Sequence, residues 1–256
     1  MRVAIVEWPE GLVPNGEVWS RTVAEVIAAE PDLLITNELP FGPWIAASAS
    51  FNNAIAEASV AIHERGMAAL ARLGIPAILS SRAVWENGRL ANEAVAIEAG
   101  TVRGIHRKQY FPAEPGWYEA TWYGTRDRDF TVASLAGVTV GVLLCTEAMF
   151  NEHARAYRRQ GASLIAIPRA AGKTHQSWHI AGAMAALTGG AYVASSNRVG
   201  AGPGGPEFGG GGFAYAPGGD LIGATCADTP LVVFDLDPVA VARRQREYPC
   251  YVAERG

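Results

Sequence analysis

The sequence predicts a single α/β domain built from packed layers over residues 1–256. Three observations carry that expectation. Short apolar runs bounded by Gly, Pro or Asp alternate with segments of helical spacing. The 256 residues, 49% of them hydrophobic, are enough to bury a substantial core. Neither an internal repeat nor a linker divides the chain.

The opening run RVAIVEW reads as a first strand, because it is too short for a signal h-region and meets Glu7 at once. EVWSRTVAEVIAAE has helical spacing; the strand DLLITNE, the helix AIAEASVAIHERGMAALARLG and the strand PAILSSR follow. At AVWENGRLANEAVAIEAGTVRGIHRK the pattern changes to a hairpin around Asn87-Gly88, a pair that accepts the positive φ of a tight turn, and then a further strand. That departs from a simple parallel doubly wound sheet. QYFPAEPGWYEATWYGTRDRD is rich in Pro, Gly and aromatic residues without periodicity, the character of a functional loop.

Strand-like DFTVASL and GVTVGVLLC come next, then the helix EAMFNEHARAYRRQG and the strand SLIAIPR. Thr174 to Asn197 contains no Asp, Glu, Lys or Arg over a length that could span a bilayer. Its histidines, serines and Asn197 make it instead a buried helix, about 175 to 188, and a buried strand, about 191 to 196. Gly200 to Gly212 reads as a flexible rim loop: Gly200, Gly202 and Gly205 have G-x-G-x-x-G spacing, but no helix follows to complete a dinucleotide site. A turn at APGGD, the strand LVVFDLD and a helix from about Pro238 complete the chain.

A net charge of -4 without a basic stripe argues against a nucleic-acid surface. Cys145, Cys226 and Cys250 are odd in number and lack ligand spacing, which points to a reducing, cytoplasmic setting without structural zinc. No metal, cofactor or membrane association is expected. Cys145 sits where a strand meets a helix. A thiol there is either a small hydrophobe or a nucleophile whose oxyanion faces free N–H groups. Taken alone, the structural reading leads, as it does for Cys226 and Cys250.

Six segments change that balance. LLITNELPFGPW, GIHRKQYFP, PGWYEATWYGTRD, LLCTEAMFNEHARAYRRQGASLI, VASSNRVG and GGGFAYAPGGDL occur in an order that resembles the nitrilase superfamily of carbon-nitrogen hydrolases across nearly the whole chain. The resemblance implies a four-layer αββα sandwich that dimerises through an outer helical layer. It places Glu38 as general base, Lys108 as catalytic lysine and Cys145 as nucleophile. The third segment is similar to a loop of N-carbamoylputrescine amidases, which selects Glu119 over Glu114 as the supporting glutamate and leaves Glu114 as a nearby loop carboxylate.

These assignments imply hydrolysis of a small amide or N-carbamoyl compound through a thioester, with release of ammonia and no cofactor. On the substrate side the expectation includes the Thr146 N–H as an oxyanion donor, Arg169 as a partner for a carboxylate or carbonyl, and Trp44 and Trp117 as apolar walls. Thr146 and Glu147 stand where many members have an aromatic residue, so both are expected to reshape the pocket. Nitrile hydrolysis ranks lower, because the chain ends soon after its last helix. Acyl transfer to an amine and a catalytically silent scaffold are the remaining alternatives.

Overall fold

The computed structural model describes residues 1–124 and 129–253, so the end of the aromatic loop, 125–128, lies outside the described residues. The first half runs β1 (Arg2–Val6), β2 (Trp8–Pro9), α1 (Glu17–Ala28), β3 (Leu33–Ile35), α2 (Asn53–Leu70), β4 (Ala77–Glu86), β5 (Arg89–Glu98), β6 (Thr101–Arg107) and the short α3 (Glu119–Trp122). The second half runs β7 (Ala133–Leu135), β8 (Val138–Val142), α4 (Glu152–Arg159), β9 (Leu164–Ala166), α5 (His175–Gly189), β10 (Tyr192–Ser195), β11 (Arg198–Ala201), β12 (Glu207–Gly209), β13 (Phe213–Tyr215), β14 (Leu221–Ala224), β15 (Leu231–Asp235) and α6 (Pro238–Arg244). Local chemistry sets many of the boundaries. Asn52 caps α2 by accepting from the Ile55 N–H, and Asp237 caps α6 ahead of Pro238. Asn87 and Gly88, at φ +49° and +81°, form the expected hairpin turn.

Among the described residues the strands form two six-stranded sheets, in the orders β15-β1-β3-β4-β5-β6 and β14-β13-β10-β9-β8-β7. Alternation along each strand divides the side chains between layers. In β1, Val3 and Ile5 join Leu164, Ala166 and Ala194 between the sheets, while Ala4 and Val6 face outward with Trp19, Val23 and Val26 of α1. On the other side, Ile165 and Val193 pack with Tyr157 of α4 and Ala185 and Ala186 of α5. Helices thus cover the outer face of each sheet, and the expected αββα sandwich is the observed one. Two glycines let those helices approach closely. A Cβ on Gly66 of α2 would lie 2.1 Å from the Phe41 ring, and one on Gly141 of β8 would lie 2.4 Å from Tyr157.

Three local expectations need correction. The helix after Cys145 is broken into a 3₁₀ turn, Cys145–Met149, and α4, because Phe150 between them, at φ −101° and ψ +78°, leaves the helical region. The uncharged helix α5 is not buried all round: Ile180 is 60% exposed and Met184 43%. The glycine-rich segment is not simply a loop, since β11 and β12 pair antiparallel and β11 also pairs parallel with β2.

Candidate active site

Glu38, Lys108 and Cys145 all follow the C-terminal ends of strands. The first two come from β3 and β6 of one sheet, and the thiol from β8 of the other. All three side chains are buried, as is Glu119 at the start of α3. The Lys108 ammonium donates to Glu38 Oε1 at 2.8 Å and to Glu119 Oε2 at 2.6 Å. Asn92 Nδ2 also donates to Glu38 Oε1, at 2.7 Å, while its backbone carbonyl accepts from the Lys108 N–H at 2.9 Å. Glu38 Oε2 is buried without a hydrogen-bond partner, so one carboxylate oxygen is held and the other is available to take a proton.

Burial disfavours the Lys108 cation, but Glu119 and Glu38 outweigh it and keep the ammonium protonated. Burial pushes Glu119 up to about 7 against the pull of Lys108. Burial, reinforced by the Glu38 carboxylate, holds the Cys145 thiol well above its ordinary range. The resting side chain is therefore a thiol and not a thiolate.

Cys145 is held in its left-handed conformation, which costs a non-glycine residue about 1–3 kcal/mol. Its N–H donates to the Pro168 carbonyl at 2.9 Å, and its Sγ lies 3.9 Å from the Ala170 carbonyl oxygen. The Thr146 N–H, in the first turn of the 3₁₀ segment, belongs to the set that has no acceptor within such a turn.

The thiol opens into a cavity of about 350 Å³ whose walls include Glu114, Trp117, Glu119, Thr146, Met149 and Trp178. Glu114, Trp117 and Thr146 are thus brought to the thiol. Trp44 and Arg169 are placed behind the walls instead. Trp44 packs edge-on against Trp117 at 5.8 Å and Phe208 at 5.7 Å. Arg169 donates through Nε to Ser195 Oγ at 2.6 Å and through Nη2 to the Gly211 carbonyl at 2.7 Å, leaving Nη1 without a partner. Its guanidinium lies 5.1 Å from the ring of Trp178, and burial lowers its pKa to about 10.

Glu147 is fully buried and does not line the cavity, contrary to the expectation that it reshapes the pocket. Residues 200–212 are also absent from the cavity wall. Sequence reasoning missed Asn92, whose signal was a single amide inside the apolar run of β5, and Trp178, which carried none beyond its aromatic ring. Among the described residues no group of three or more His, Cys, Asp or Glu side chains is arranged to hold a metal ion, and no helix is long and apolar enough to cross a membrane.

The raised Glu119 has a consequence for stability. Its carboxyl binds a proton up to about pH 7 when folded but only to about 4.5 when unfolded. The protonated group's contribution is complete below about pH 4.5 and is lost as pH rises to about 7, on the order of 3 kcal/mol. Urea unfolding of Glu119→Gln is expected to lack this slope, so the variant gains on wild type between pH 5 and pH 8. Parallel pH profiles would rule out Glu119 as its source.

The fold and the buried carboxylate, lysine and thiol cluster define a nitrilase-like αββα protein. Residues 3–246 match the carbon-nitrogen hydrolase family model, and the chain belongs to that family. It is 30% identical over 172 residues to the N-carbamoylputrescine amidase of Arabidopsis thaliana, covering 60% of this chain and 58% of that protein's length. The structure of a carbon-nitrogen hydrolase from Helicobacter pylori G27 is similar in fold, with TM-score 0.86 over 98% of this chain and 94% of that one at 19% identity. An amidase from Nesterenkonia sp. is 25% identical, with TM-score 0.76 over 94% of this chain and 92% of its own. In one form of that amidase the acetamide moiety of fluoroacetamide is covalently added at the active site cysteine.

Proposed function

We propose that this chain is an amidohydrolase that cleaves a small amide or N-carbamoyl compound through a thioester at Cys145. The observation that carries the reading is the free Glu38 Oε2 in a cluster whose other contacts, to Lys108 and Asn92, all fall on Oε1. Glu38 takes the thiol proton as Sγ attacks the substrate carbonyl. The oxyanion forms between the Lys108 ammonium and the Thr146 N–H. Glu38 then returns the proton to the departing nitrogen, so ammonia leaves and the acyl or carbamoyl group stays on sulfur. Water, deprotonated by Glu38, attacks the thioester; the acid departs and the thiol recovers its proton. Glu119 orients Lys108 throughout.

The cavity also supports a choice among substrates. Glu114 is an exposed carboxylate, and Trp117 and Trp178 present aromatic faces in the same space. This suits a substrate whose far end carries an ammonium group, in keeping with the name of the Arabidopsis relative. The reading places the protein in a reducing cytoplasm, where its three free cysteines stay reduced. It includes a homodimer in which a second copy covers Ile180 and Met184 of α5.

The test is ammonia release from a panel of small amides, N-carbamoyl amines, N-carbamoyl amino acids and nitriles. Release from N-carbamoyl amines ahead of neutral amides supports the full reading. Preference for neutral amides removes the role given to Glu114, and release from nitriles alone replaces amide cleavage by nitrile hydrolysis. Silence across the panel removes hydrolysis of these classes and favours acyl transfer or a scaffold.

A further inference from the structure

Glu147 stands two residues beyond Cys145, buried and outside the cavity. Its Oε2 accepts from the Leu144 N–H at 2.7 Å and from His106 Nε2 at 2.7 Å, and its Oε1 accepts from the Gln109 N–H at 2.8 Å. Leu144 immediately precedes the thiol. Gln109 immediately follows Lys108, and His106 lies two residues before it. Because β6 and β8 belong to different sheets, this one carboxylate joins the lysine end of one sheet to the thiol turn of the other.

We propose that Glu147 is a positioning residue that fixes the Lys108 ammonium relative to Cys145 Sγ, an inference that rests on reading Cys145 as the nucleophile. Its action is geometric. The carboxylates that act most on the thiol are Glu38 and Glu119, whereas Glu147 spends its oxygens on two backbone N–H groups and an imidazole. One of those N–H groups borders the left-handed turn at Cys145, a conformation that persists only where its surroundings over-determine it.

The test is Glu147→Gln, which keeps shape and volume. Either orientation of the amide turns its NH₂ toward one of the two backbone N–H donors, so one side of the clasp is lost whichever way the side chain settles. The expected result is a fall in kcat of about 10²-fold with little change in KM, as for a misplacement on the scale of 1 Å. Carbamidomethylation of Cys145 by iodoacetamide, read by peptide mass, is expected to slow as well, with the exposed Cys226 unchanged as internal reference. His106→Ala leaves both backbone bonds in place and is expected to retain most of kcat.

A folded Glu147→Gln protein with wild-type kcat and wild-type Cys145 labelling overturns the proposal. A fall in stability with the labelling ratio unchanged also overturns it, since that is the mark of a purely structural bond. The nucleophile assignment is read separately, from Cys145→Ala, which must lose ammonia release. The clasp is read from the ratio of variant to wild type at Cys145, which exists whichever way the first comparison falls.

Discussion

Cys145→Ala is expected to reduce hydrolysis by about 10⁶-fold, the scale seen when a covalent nucleophile is removed from a site whose members act as a unit. No neighbouring thiol can substitute. Cys226 is exposed on the turn after β14, and Cys250 points at the carbonyls of Leu187 and Thr188. The fold is expected to survive, because the lost contact is one weak approach of 3.9 Å to the Ala170 carbonyl oxygen. The checks are ammonia release and a thermal melt on the same preparation. A folded variant that keeps a tenth of the wild-type rate would eliminate the thioester.

Lys108→Met is expected to damage both stability and rate. The ammonium is the partner of two buried carboxylates, at 2.8 and 2.6 Å, and removing it leaves them facing each other without compensation. Breaking a buried ion pair from one side costs about 3–5 kcal/mol. The sign of its pH dependence follows. Without the cation, Glu119, already pushed up to about 7 by burial, is pushed up further, so the variant approaches wild type near pH 5 and falls furthest behind above pH 7. Adding Glu119→Gln to Lys108→Met removes one stranded charge and should restore part of the stability but none of the activity. Urea titrations of the four proteins at two pH values give the coupling directly. Equal stability of Lys108→Met and wild type at pH 8 would refute the charge argument.

The layers of this fold were legible because strand alternation and helical spacing are local signals, and the hairpin at Asn87-Gly88 was legible because φ +49° and +81° demand such residues. Glu38, Lys108, Glu119 and Cys145 were singled out by the order of their motifs, and Lys108 hydrogen-bonds to both glutamates. What the sequence hid was direction. Trp44 and Arg169 sit beside the correct strands but are turned toward Phe208 and Ser195 by tertiary packing, which no spacing records. The pairing of β11 with β2 was hidden for a related reason: its partners, Arg198 and Trp8, are far apart in the chain, and glycine-rich segments have little strand propensity. Glu147 looked like a pocket residue because it follows the thiol so closely. The left-handed turn at Cys145 carries its side chain the other way, into the core.

The division of the cluster between two sheets bears on how the protein is made. Glu38 and Lys108 are synthesised first, on the sheet that begins with β1, but that sheet gains its edge strand β15 only when residues 231–235 have been added. Pairings of such long sequence separation form late relative to local ones. A nascent chain emerging from the ribosome therefore carries the thiol well before it carries a finished frame to aim it. The β1–β15 pairing cannot be complete until synthesis has passed Asp235.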